Sequence, residues 1–155
     1  MEIVEWTGDR WALRELLLLA DPSEALVRAY LDEGFLLAAL EGGRAVGEAL
    51  VIPAPGGWEL KNLAVAPAAQ GRGTGGALVR AALGRVPAGE TLWVGTADGV
   101  PPVLRFYERC GFRRDHVVKG FFLEHYPEPV YDFGVRLEDM VYLKQKGRGS
   151  PVGTV

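Results

Sequence analysis

The sequence predicts a mixed α/β (α+β) fold: a mostly antiparallel twisted sheet of about six or seven strands flanked by about four helices. Three observations predict it. Up to residue 65, short apolar runs are separated by turn-forming glycines and prolines at hairpin spacing. Beyond residue 72 the pattern changes to helix, strand, helix, strand, as crossovers require. The 155 residues suit one domain with a core of its own and show no internal repeat.

Taken in order, residues 2–6 read as a first strand. Asp9 is placed to cap a helix running to about Leu19, with Leu13, Leu16 and Leu17 on one face. Asp21-Pro22-Ser23-Glu24 reads as a second helix start, with Asp21 as cap and Pro22 at the first helical position. Leu26, Val27, Tyr30 and Leu31 form its apolar face, and Gly34 ends it. Residues 35–40 and 45–52 are strands joined by a tight Gly42-Gly43 turn, and residues 58–65 form the next strand of the meander. A helix is expected over 73–85, a short strand over 91–94 and a helix over 102–110. Strands are expected over 114–122 and 140–143, and a flexible, glycine-rich tail over 145–155.

Composition narrows the function classes. Hydrophobic residues make up 48% and charged residues 24%, with a net charge of −3. That balance gives no basic excess for nucleic acid. No run approaches the length of a membrane span and the N-terminus lacks a signal-peptide pattern. The single cysteine, Cys110, cannot form an internal disulfide, which suits a reducing, cytoplasmic setting.

The informative stretch runs from Leu60 to Leu78, where a strand leads through a short loop into a glycine-rich helix start. Free N–H groups and a partial positive charge at a helix N-terminus suit a phosphate, and glycines let the anion approach. Arg72 can add a charge-assisted contact. Gly71-x-Gly73-x-x-Gly76 has the spacing of a dinucleotide fingerprint, but Pro67-Ala68-Ala69-Gln70 intervenes between strand and first glycine. A Walker loop lacks its Gly-Lys-Ser/Thr. A plain glycine-rich helix entry is the remaining reading.

The motif has a companion. Gln70-x-x-Gly73-x-Gly75 after Leu63-Ala64-Val65-x-Pro67 resembles the acetyl-CoA signature of the GNAT superfamily of N-acetyltransferases. About thirty residues on, Phe106-Tyr107 followed by Gly111-Phe112 resembles that superfamily's second signature. The resemblance covers residues 1–144 as one acetyltransferase domain. It implies acetyl-CoA as cosubstrate, no metal, and direct attack of an amine on the thioester. The pantetheine arm would pair with the backbone of Leu63, Ala64 and Val65 in a strand splayed by a bulge near Leu63. The pyrophosphate would sit on the N–H groups from Gln70, Gly71, Arg72, Gly73, Thr74 and Gly75 to Gly76. Tyr107 matches the family's general acid, close to the cofactor sulfur.

A lysine-like amine loses its proton at pH 7 only at a cost of about 4.6 kcal/mol, so a general base is wanted. Glu59, eleven residues before Gln70, holds the position of the catalytic carboxylate in histone-type members. Asp98 and His125 are the other candidates, and Asn62 can orient substrate or water. Many members carry an asparagine seven residues before the tyrosine; here that position is Val100, and Thr96 or Asp98 stands nearby to replace it. Residues 121–135 exceed a usual hairpin loop and mix aromatics with carboxylates. Glu124, Tyr126 and Glu128, with Asp132, suit a cationic amine; the aromatics equally suit packing of the loop or a dimer contact. The expected partner is a small-molecule amine or a protein amine, with the protein a monomer or homodimer. A CoA-binding regulatory protein and a nicotinamide-dependent oxidoreductase are the competing classes.

Overall fold

The computed structural model describes residues 1–149. The chain forms two compact units, one of Met1–Leu92 with the segment starting at Lys146, the other of Trp93–Gln145.

The first unit opens with β1 (Glu2–Glu5), a 3-10 turn (Arg10–Leu13), α1 (Arg14–Ala20) and α2 (Glu24–Tyr30). Strands β2 (Phe35–Glu41), β3 (Arg44–Ala54) and β4 (Gly57–Val65) follow, and then α3 (Thr74–Arg85). The strands lie in sequence order, each antiparallel to the next. Side chains alternate between faces. Leu36, Ala38, Leu50 and Ile52 meet the 3-10 turn, α1 and α2 through Leu13, Leu17, Val27 and Tyr30. On the opposite face, Gly47 lies under Leu78 and Thr74 of α3, where a methyl group would press against both.

Local chemistry sets most boundaries. Asp9 accepts a hydrogen bond from the Trp11 N–H, as a cap should. Gly42 and Gly43 both have positive φ, 57° and 80°, which the two-residue hairpin turn demands. The second helix differs from its expected start. Ser23, not Asp21, is its cap, taking the Leu26 N–H at 3.2 Å. Asp21 closes α1 instead, and its carboxylate accepts from the Ser23 N–H and the Tyr30 hydroxyl. Pro22 is therefore outside the helix.

The second unit contains most of β5 (Thr91–Ala97), α4 (Pro101–Arg109), β6 (Arg113–Val118), α5 (Phe121–His125), a small hairpin of β7 (Tyr131–Asp132) and β8 (Val135–Arg136), and β9 (Met140–Lys146). Strand β9 lies between β5 and β6 and is antiparallel to β6. The strand expected over 114–122 stops at Val118. Gly120, at φ 70°, turns the chain, and its N–H is held by Asp139 Oδ1 at 2.8 Å, so that residues 121–125 coil into α5. Ala97, Val100, Phe122 and Leu137 form this unit's apolar cluster.

The tail expected from residue 145 is not found over residues 145–149. Gln145 and Lys146 complete β9. Gly147, Arg148 and Gly149 then donate to the carbonyls of Glu90, Leu83 and Val86. Glycine is needed because a Cβ at 147 or 149 would meet the Val86 carbonyl oxygen at 2.5 or 2.8 Å. Residues 150–155 of that expected tail lie outside the described residues. Among the described residues, no helix is long and apolar enough to cross a membrane.

Candidate active site

The site in the first unit is organised by an irregularity in β4. Leu50 pairs with Asn62 and Val51 with Leu60, so Lys61 has no opposite residue and bulges. The bulge lies two residues before the expected Leu63. It brings Glu59, Lys61 and Asn62 together on the side of α1 and α2. The Lys61 ammonium stands 3.7 Å from Glu59 Oε2 and 5.4 Å over the Tyr30 ring. Asn62 Nδ2 donates to the Leu17 carbonyl and to the Tyr30 hydroxyl, each at 3.0 Å. The Tyr30 hydroxyl in turn donates to Asp21 Oδ2 at 3.0 Å. A side chain of β4 thus satisfies a carbonyl near the end of α1, and a phenol of α2 ties it to the interhelical turn.

Burial shapes the electrostatics here. The Glu59 side chain is 18% exposed. Its loss of water pushes the carboxyl above its ordinary range, and the neighbouring Lys61 ammonium partly offsets this. Burial also raises the Tyr30 phenol, with Asn62 opposing and Asp21 adding to the rise. On β3, Glu48 is 0% exposed, and desolvation raises its carboxyl well above the usual range.

The glycine-rich loop leaves β4 through a 3-10 turn at Pro67–Ala69. Gln70 folds its amide back to the Val65 carbonyl at 3.0 Å, clamping the loop to the strand end. Gly71 and Gly73 both have φ 80°, and a Cβ at either would meet nothing within 4 Å. These glycines are therefore required by backbone conformation rather than crowding, and they leave the amides bare on their outer side. Thr74 is 3% exposed, with its methyl against Gly47, so only its backbone is offered to an anion. Gly75 and Gly76 complete the first turn of α3, where N–H groups have no intrahelical partner. The Arg72 guanidinium pairs with Glu41 at 2.9 Å and contacts the Ala69 carbonyl at 3.4 Å. That pair is exposed and weak enough to exchange for a phosphate.

In the second unit, Tyr107 is 8% exposed, with its ring edge-on to Phe106 and Phe112 at 5.1 and 5.8 Å. Asp98 is exposed, and its carboxylate accepts the Gly99 N–H at 2.9 Å, a turn-forming contact. Val100, 1% exposed, packs in the apolar cluster, so the position of the family's asparagine holds a core contact here. Thr96 is half-buried. In the 121–135 segment Phe121, Phe122 and Tyr126 pack inward, whereas Tyr131, Phe133 and the carboxylates are exposed. Tyr126 stacks on Phe122 at 5.5 Å and His125 on Phe121 at 4.2 Å, whereas Glu124, Glu128 and Asp132 are exposed. His125 Nδ1 also lies 2.9 Å from the Phe121 carbonyl.

Three members of the β4 cluster were not legible as site residues: Glu48, Tyr30 and Asp21. Tyr30 reads as part of an apolar helix face and Asp21 as a cap. Glu48 had a signal, since it is the lone charge in the apolar run Ala45–Ile52.

Comparison with known proteins identifies the family. The sequence pattern of the Acetyltransferase (GNAT) family matches residues 3–112. The uncharacterized N-acetyltransferase YvbK of Bacillus subtilis is 35% identical over 146 residues, spanning 92% of this chain and 93% of that protein. A GNAT family acetyltransferase from Elizabethkingia anophelis, solved with acetyl-CoA bound, superposes with a TM-score of 0.84 at 31% identity, covering 94% of this chain and 97% of that one. A Bacillus subtilis acetyltransferase solved with CoA superposes at 0.82 with 33% identity and the same coverage. Fold and sequence pattern agree, and the chain belongs to the GNAT acetyltransferase family.

Proposed function

We propose that this protein transfers an acetyl group from acetyl-CoA to a primary amine by direct attack. The observation that carries the reading is the arrangement along β4. A desolvated carboxylate, Glu59, precedes by a few residues a strand end that runs into the bare amides of a glycine-rich helix start. The loop fits a pyrophosphate: two glycines in the left-handed conformation and the free N–H groups of Thr74, Gly75 and Gly76 offer donors without Cβ obstruction. Leu63, Ala64 and Val65 supply the backbone edge for the pantetheine arm. Relatives sharing about a third of the residues were solved with CoA or acetyl-CoA.

In this reaction Glu59, acting through water, takes a proton from the acceptor ammonium. The neutral nitrogen attacks the thioester carbonyl, a C–N bond forms and the C–S bond breaks. The departing sulfur takes up a proton, and the family resemblance gives that donor role to the Tyr107 hydroxyl.

Two measurements test the proposal. A ligand held only by the folded state at a hundred times its Kd adds about 2.7 kcal/mol, or roughly 5–10 °C of Tm at this chain length. Acetyl-CoA and CoA are expected to give that shift, and NADH and ATP are not; equal shifts with NADH would remove the reading. Tyr107→Phe keeps the ring packing and removes the proton. It is expected to lower kcat about ten- to a hundredfold with the KM for acetyl-CoA nearly unchanged, and an unaltered kcat would exclude the acid role.

A further inference from the structure

Glu48 is unusual even beside Glu59. It is fully buried, and neither of its carboxyl oxygens meets a donor from the described residues. Asn62 Oδ1, buried on the same face of the adjacent strand, also meets none, although the amide nitrogen beside it is held firmly by Leu17 and Tyr30. Glu48 is opposite Ala38 on β2 and Ala64 on β4, so the sheet puts no bulk on either side of the carboxyl. Three buried oxygens without hydrogen-bond partners are costly in a protein interior. An ammonium group, with three donors and no acceptor, is the complement they need. This face already attracts a cation, since the Lys61 ammonium sits between Glu59 and the Tyr30 ring.

We propose that the Glu48 carboxylate and Asn62 Oδ1 form the seat for the acceptor's primary ammonium nitrogen, so that Glu48 is a residue that determines acceptor specificity. The inference rests on the acetyl-transfer reading for its role in turnover. The seat lies on the strand that leads, through Leu63, to the expected position of the thioester. It selects donors over acceptors. An alcohol of the same length brings one hydrogen and no charge, and leaves most of the cluster unsatisfied. Of the charged and titratable groups on this face, Tyr30 on α2 faces Glu48; Glu59 is opposite Ile52, four residues along β3, Lys61 lies in the bulge beside it, and Asp21 is bonded to the Tyr30 hydroxyl; β2 contributes only Ala38 at this level.

The test uses the whole chain labelled with carbon-13 at its glutamate carboxyls, saturated with CoA, and n-butylammonium chloride as probe. The Glu48 resonance is identified by its loss in Glu48→Gln. It is expected to shift saturably with n-butylammonium and to stay still with n-butanol. In steady-state assays Glu48→Gln is expected to raise the KM for n-butylamine at least tenfold while leaving the KM for acetyl-CoA alone. Glu48→Met, which fills the same volume without a charge, is expected to do the same. A Glu48 resonance unmoved by n-butylammonium, as a buried water alone on these oxygens would leave it, overturns the seat. So does an unchanged KM in both variants. A missing Tm shift with acetyl-CoA would instead overturn the acetyl-transfer reading, and the n-butylammonium titration would still decide the seat by itself.

Discussion

Glu59→Gln is expected to lower kcat/KM for a primary amine by about a hundredfold or more, equivalent to roughly 2.7 kcal/mol of transition-state stabilisation. The glutamine keeps the shape and the contact with Lys61 but cannot take a proton. The pH dependence provides the sharper check. Burial raises the Glu59 carboxyl, so in the wild type activity rises with pH as that group ionises and levels off above it. The variant is expected to lose this rise. Stability should move the other way. A carboxyl raised on folding contributes stability that is fully present below its unfolded pKa and is lost as pH rises through the folded one. At neutral pH the variant is therefore expected to be at least as stable as the wild type, and near pH 4 the two converge. A hundredfold loss with an unchanged or higher Tm separates a chemical role from misfolding. Wild-type activity with the low-pH limb intact would give the base to another group.

The largest effect on stability is expected at Gly34. This residue ends the turn after α2 at φ 57°, and a Cβ there would collide with the Val51 carbonyl oxygen and lie 2.7 Å from Ile52 Cα. Neither neighbour can yield easily, because both belong to β3 beside its irregular pairing with β4. The turn is also pinned from the other side. Arg10 donates to the carbonyls of Leu31, Glu33 and Gly34 at 2.9, 2.6 and 2.8 Å. Gly34→Ala is expected to cost about 3 kcal/mol or more, roughly 10 °C in Tm. Gly42→Ala is the internal control. It has the same φ of 57° with nothing within 4 Å, so only the conformational penalty of about 1 kcal/mol applies. Equal losses in thermal melts of the two variants would show that the Val51 contact is unimportant.

The same contrast explains how much of the molecule was legible beforehand. The Gly42-Gly43 turn, the Asp9 cap, the glycine-rich start of α3 and the apolar faces of α1 and α2 are decided within a few residues. Their sequence signals are correspondingly clear. The start of α2 was ambiguous because Asp21 and Ser23 are both capping residues flanking a proline. The choice fell to Ser23 because Tyr30, one helix length away, engages the Asp21 carboxylate. Gly147 and Gly149 read as tail composition but are glycines because the backbone at Val86 runs against them. Of the candidate site, the loop from Gln70 to Gly76 was visible as a local pattern, and Glu59 through the family resemblance. The surroundings that raise the Glu59 carboxyl were not.

By itself, then, the sequence determined the mixed α/β class, the order of the main elements as far as α4, the glycine-rich loop and the family. Each of these is written in short-range periodicity, caps and glycine positions. Only the tertiary structure decided where β4 bulges. Strand register is a property of two segments, and the extra residue is assigned to Lys61 only when Leu50 and Val51 choose their partners. Tertiary structure likewise placed Glu48, Asn62, Tyr30 and the half-buried Asp21 on one face of the sheet. Desolvation and hydrogen bonding act between residues that the chain brings together from four separate elements.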